Sequence, residues 1–152
     1  MNLRYSYQWL GNSTSASDGG MPDETSHPAG DRATVLLIDD DAAVLDSLKL
    51  RLEIHGFRVL TAPDGRKGLA AFQQHAPAVV ITDILMPEQD GIGAIREMRR
   101  MRPSAKIVAM SGGGRIDKGD YLTMAEQLGA DVAIEKCDLN KLLEILPALL
   151  SS

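Results

Sequence analysis

The chain has 152 residues, 44% of them hydrophobic but only 4% aromatic, which suits one ordinary domain with a mostly aliphatic core. A formal charge of -5 argues against binding a nucleic-acid backbone as the main task, because that needs a basic footprint. Cys137 is the only cysteine, which excludes an internal disulfide and favours a reducing compartment, and no apolar run approaches the length of a membrane span.

Residues 11–30 are rich in Gly, Ser, Thr, Asp and Pro, with scarcely an apolar residue to bury, so residues 1–32 are expected to be a disordered extension ahead of a domain at 33–152. Residues 1–10 (MNLRYSYQWL) carry the only tryptophan and two tyrosines, and are too short and too polar for a signal sequence. They read either as a docking tail or, with Met21 as the true start, as an upstream extension. Residues 34–38 (TVLLI) form a short apolar strand that ends in Asp39, Asp40 and Asp41, the last placed to cap a helix. That helix, 42–55, carries Val44, Leu45, Leu48 and Leu52 at helical spacing with Asp46, Lys49 and Glu53 outward, and Gly56 closes it.

Residues 57–61 (FRVLT) alternate as a second strand. Pro63-Asp64-Gly65 then opens a helix that turns Leu69 and Phe72 inward, reaches His75 and ends before Pro77. Residues 79–82 (VVIT) describe a strand buried on both faces, and it delivers Asp83 to its carboxyl end. Pro87 and the turn after it start a helix, with Asp90 as its best cap and Ile92, Ile95 and Met98 inward. Its arginines, Arg96, Arg99, Arg100 and Arg102, read as a solvated face rather than a nucleic-acid site. A fourth strand, 105–110 (AKIVAM), ends in Ser111 and Gly112 to Gly114. A helix over 120–128 is closed by Gly129, and a fifth strand, 131–135 (DVAIE), ends in Lys136. Asp138 caps a last helix with Leu139, Leu142, Leu143 and Leu146 inward, which Pro147 either stops or kinks.

Five strands alternating with five helices predict an α/β fold, a parallel sheet covered on both faces. Right-handed crossovers favour the flavodoxin-like doubly wound order 2-1-3-4-5, an order taken from known sheets of this type and not deduced from spacing. It brings Asp39, Asp40, Asp83, Ser111 and Lys136 to one rim. Three carboxylates in one pocket repel one another unless a cation sits among them. With oxygen donors only and no Cys or His partner at ligand spacing, a hard ion such as Mg²⁺ fits: Asp40 and Asp83 directly, Asp39 through water, and the Leu85 carbonyl as a further contact. A carboxylate beside Mg²⁺ can attack a phosphoryl group, whose oxygens would be held by the ion, the Lys136 ammonium and the Ser111 hydroxyl. His27, His55 and His75 lie in the tail or on helices away from the acids.

The motifs LLIDDD and TDILMPEQDG, the serine after the fourth strand and the lysine after the fifth together resemble the receiver (phosphoacceptor) domain of two-component response regulators, from residue 34 to about 150. The resemblance implies that Asp83 accepts phosphate from a sensor histidine kinase or phosphotransfer protein. It implies also that Asp39 and Asp40 serve the metal and that Ser111 and Lys136 read the phosphoryl oxygens. The chain departs from the family pattern at Cys137, where a proline is usual, and at Ala133, where many members carry Tyr or Phe. Its glycine-rich segment 111–121 is also longer than is common.

No residues follow the last helix to make a DNA-binding domain, so a cytoplasmic single-domain regulator acting on an unknown protein target is expected. Its contact surface is expected to be the last two helices and the fifth strand, with neither DNA nor membrane as partner. The alternatives are a degenerate receiver that docks without phosphorylation, and a Mg²⁺-dependent phosphohydrolase. The hydrolase would need an acid two residues beyond its nucleophile, where Leu85 stands, so no turnover enzyme is expected.

Overall fold

In a computed structural model, residues 32–84, 91–112, 118–136 and 138–152 are described, with only the backbone at 118, 119, 121 and 122. The elements alternate as β1 (Thr34–Ile38), α1 (Ala42–Ile54), β2 (Arg58–Ala62), α2 (Gly65–His75), β3 (Val79–Asp83), α3 (Gly91–Met101), β4 (Lys106–Ser111), α4 (Lys118–Leu128), β5 (Val132–Glu135) and α5 (Leu139–Ser151). The strands make one parallel sheet in the order β2-β1-β3-β4-β5.

Each central strand is apolar on both faces because helices cover both. Val35, Leu37, Val79, Ile81, Val108 and Met110 pack with Leu45, Leu48 and Leu52 of α1 and Leu142 and Leu146 of α5. Their neighbours one residue along, Leu36, Ile38, Val80, Ile107 and Ala109, meet Phe72 of α2, Ile95 and Met98 of α3, and Leu128 of α4. The period of two along a strand thus sorts one apolar run into two cores. Among the described residues no helix is long and apolar enough to cross a membrane.

Helix ends follow their chemistry. Asp41 caps α1 by accepting from the Ala43 and Val44 N–H groups, Asp64 caps α2 through Lys67 N–H, and Asp138 caps α5 through Lys141 N–H. Gly56 and Gly129 take positive φ where α1 and α4 end. The helix before Pro77 stops at His75, with Ala76 in the left-handed region as its cap. Pro147 does not stop α5, which runs on to Ser151. Strand β2 begins one residue later than its alternation suggests, because Phe57 N–H bonds the Leu52 carbonyl instead of a strand neighbour. The N-terminal extension and Asp90 lie outside the described residues.

The arginines of α3 correct the expectation of a uniformly solvated face. Arg99 Nε and Nη2 donate to the Gly129 carbonyl at 2.9 and 2.7 Å, and Nη1 donates to the carbonyls of Pro103 and Ala105 at 2.7 and 2.6 Å. Nη2 also pairs with Asp131 Oδ2 at 2.9 Å, and that carboxylate accepts from Ile107 N–H at 2.8 Å. Arg102 lies over the Phe72 ring, 4.5 Å from its centroid, and donates to the Pro77 carbonyl at 2.8 Å. Only Arg96 and Arg100 keep the predicted exposed role. Charge-assisted bonds are the stronger kind, and Arg99 makes several to backbone carbonyls, so Arg99→Ala is expected to lower unfolding free energy by about 2–3 kcal/mol. Arg96→Ala should stay within about 0.5 kcal/mol of wild type, both read by urea titration.

Candidate functional site: an acidic pocket closed by a lysine

The site lies at the carboxyl ends of β1, β3, β4 and β5. Ladder bonding continues one residue past several strands and so fixes the base of each side chain: Asp39 N–H donates to Ala62 O at 3.2 Å, Ile84 N–H to Met110 O at 2.9 Å, and Lys136 N–H to Ser111 O at 2.8 Å. Asp83 ends β3 in register with Met110, and Ser111 ends β4 opposite Glu135. Asp39, Asp83 and Ser111 are buried, whereas Asp40 is exposed.

Asp39, Asp40 and Asp83 each offer a carboxylate oxygen to a cluster in which all three lie within 4.8 Å of one another. Lys136 Nζ reaches across from β5, donating to Asp83 Oδ2 at 2.9 Å and to Asp39 Oδ1 at 3.2 Å. Asp39 Oδ1 also accepts from the Asp41 N–H at 2.8 Å, so the residue that caps α1 with its side chain orients the pocket acid with its backbone. Sequence spacing pointed to the cap but not to this second use. Asp39 Oδ2 has the ammonium only 3.0 Å away, yet it is buried without a hydrogen bond.

Burial strips solvent from Asp39 and, with the charge of Asp83 added, raises its carboxyl above the usual range against the opposing pull of the Asp41 N–H and Lys136. For Lys136 burial is the largest single influence and opposes the charge. The hydrogen bonds and charges of Asp83 and Asp39 together outweigh it and hold the ammonium above the ordinary lysine range.

The donor set suits a hard divalent ion. Three carboxylates against one ammonium leave two negative charges uncompensated, one buried oxygen lacks a hydrogen bond, and every donor is oxygen. Asp39, Asp40 and Asp83 would hold such an ion. The Leu85 carbonyl and Cys137 lie outside the described residues. Ser111 joins the site through its backbone and its position at the buried end of β4. Gly112 follows beside the stem of Lys136: a Cβ there would stand 3.8 Å from Lys136 Cδ. His55 is bonded to the Arg51 carbonyl at the far end of α1, away from the acids.

Comparison with known proteins agrees with this geometry. Residues 35–147 match the family model of the response regulator receiver domain. A probable transcriptional regulator ycf27 of Guillardia theta is 40% identical over 102 residues, 67% of this chain and 39% of that protein. The crystal structure of a response regulator receiver domain protein from Clostridium thermocellum superposes with a TM-score of 0.70 at 30% identity, covering 78% of this chain and 94% of that one. A CheY-like receiver domain protein from Methanospirillum hungatei gives a TM-score of 0.71 at 28% identity, covering 79% and 94%. The chain belongs to the response regulator receiver domain family. It spans about two fifths of the length of the ycf27 relatives it matches.

Gly91 is a further requirement of the site, and no spacing rule singled it out. A Cβ at this position would stand 2.3 Å from the Asp83 carbonyl oxygen and 3.1 Å from that of Ile84, and backbone cannot yield as a side-chain tip can. Gly91→Ala is therefore expected to cost about 1–3 kcal/mol in urea unfolding, the usual range for overpacking. Gly93→Ala, on the exposed side of the same helix, should stabilise by about 0.5–1 kcal/mol.

Proposed function

We propose that this chain is a phosphoacceptor: Asp83 receives a phosphoryl group from the phosphohistidine of a sensor kinase or phosphotransfer protein, and the modified domain signals by changing its protein contacts. The observation that carries the reading is the Lys136 ammonium at 2.9 Å from Asp83 Oδ2, in a pocket where three carboxylates can share a cation. An Asp83 oxygen attacks phosphorus, the phosphorus–nitrogen bond breaks, and its electron pair leaves with the imidazole. Mg²⁺ held by Asp39, Asp40 and Asp83 would supply charge neutralisation for the incoming phosphoryl oxygens. Lys136 would then exchange part of its bond to Asp83 for a phosphoryl oxygen, and the Ser111 hydroxyl would take another.

The reaction modifies the chain itself, so no external product is turned over. Output runs through a protein surface formed by α4, β5 and α5, in a protein that works in the cytoplasm. The matched relatives named as transcriptional regulators extend well beyond the matched region, so a DNA-directed output through a further domain is the competing form of the same reading. A second reading, docking without phosphorylation, draws on the small, half-buried Ala133 on β5. It differs in that Asp83→Asn leaves cellular function intact.

Incubation with Mg²⁺ and a small phosphodonor is expected to add one phosphoryl group to the intact mass of wild type and none to Asp83→Asn. Chelation should abolish labelling, and Lys136→Ala should slow it about 100-fold, as for loss of one preorganised donor to a developing oxyanion. Equal labelling of wild type and Asp83→Asn, or none of wild type, removes the proposal.

A further inference from the structure

Helix α1 is apolar on the side it should not be. Leu45, Leu48 and Leu52 face the core, but Leu50 and Ile54, one turn apart on the opposite side, are 61% and 72% exposed. They are the exposed large hydrophobics among the described residues. The rest of that outward side is polar, so the two aliphatic side chains form a small apolar patch within a charged surface. Asp46 and Glu53, both exposed, border this patch beside Leu50, and the exposed Arg51 borders it beside Ile54.

The chain carries its own candidate cover. In residues 1–10 apolar and polar residues alternate, Leu3, Tyr5, Tyr7 and Trp9 against Arg4, Ser6 and Gln8, and the segment has a cation in Arg4 and no acid. An alternating segment in extended form presents all four apolar side chains on one side. Its attachment is close to the patch: the described chain resumes at Arg32, and the Ala33 carbonyl accepts from Arg58 N–H at 3.0 Å, just past the end of α1 where Ile54 lies. The intervening 21 residues, 11–31, are polar and glycine-rich, and a linker of that length and composition reaches about 25 Å. The whole of α1 is about 20 Å long, so the patch is within reach at millimolar effective concentration.

We infer that residues 1–10 dock on the Leu50–Ile54 face of α1, with Tyr and Trp rings covering the two aliphatic side chains and Arg4 facing Asp46 and Glu53. This rests on α1 and the tail alone and is independent of phosphorylation.

Trp9 is the only tryptophan, so its fluorescence reports the docking directly in the full chain. Acrylamide should quench Trp9 about threefold less than in a free peptide of residues 1–10, with a blue-shifted emission, as for a buried indole. Leu50→Lys with Ile54→Lys, both surface changes to good helix formers, should restore peptide-like quenching while the circular dichroism spectrum is unchanged. The shielding should not vary on dilution. Quenching equal to that of the free peptide, shielding that survives the double variant, or shielding lost on dilution as for a second copy would each overturn the inference.

Discussion

The site depends on one half-buried ammonium that meets two buried carboxylates. Lys136 stands at the end of β5, while the acids it joins stand at the ends of β3 and β1, so its bonds at about 3 Å tie three strands that are not consecutive in the chain. Without a cation the buried carboxylates of Asp39 and Asp83 would face each other in a poorly solvated pocket, and their repulsion would act directly on the strand ends. The lysine offsets part of that charge and leaves room for more. Asp39 Oδ2 meets that ammonium at 3.0 Å but accepts no aligned hydrogen bond.

The fold contributes precision through backbone bonds as much as through the side chains that meet at the site. Parallel pairing extends to Asp39, Ile84 and Lys136, so each functional side chain springs from a position held on a rigid sheet. The two cores on either side of the sheet prevent those positions from moving independently. Close approach of α3 to the Asp83 backbone, which demands glycine at position 91, connects a covering helix to the acid itself. A chemical change at Asp83 therefore has a short mechanical route into α3, and through Lys136 into β5.

Much of this was legible in the amino-acid order. Short apolar runs ending in Asp39, Asp83, Ser111 and Lys136 identify strand ends because a strand buried on both faces has little room for a charged side chain along its length. Alternation with helical spacing then predicts the parallel sheet. The order of the strands came from known doubly wound folds, and the structure has that order. Arg99 and Arg102 were not legible as structural residues, since an arginine reaching a carbonyl 30 positions away has the same helical spacing as one in solvent. Gly91 was equally hidden, because what it avoids is the carbonyl of a residue eight positions earlier. The outward Leu50 and Ile54 were overlooked because the inward stripe of α1 already accounted for a helix.

The claim that a cation holds the strand ends together is tested most directly by equilibrium unfolding of Lys136→Met in chelator and again in Mg²⁺. The account predicts a loss of about 3 kcal/mol in chelator, since two buried carboxylates lose their shared ammonium, and a larger gain from Mg²⁺ than wild type shows. A variant as stable as wild type in chelator and indifferent to Mg²⁺ would contradict it.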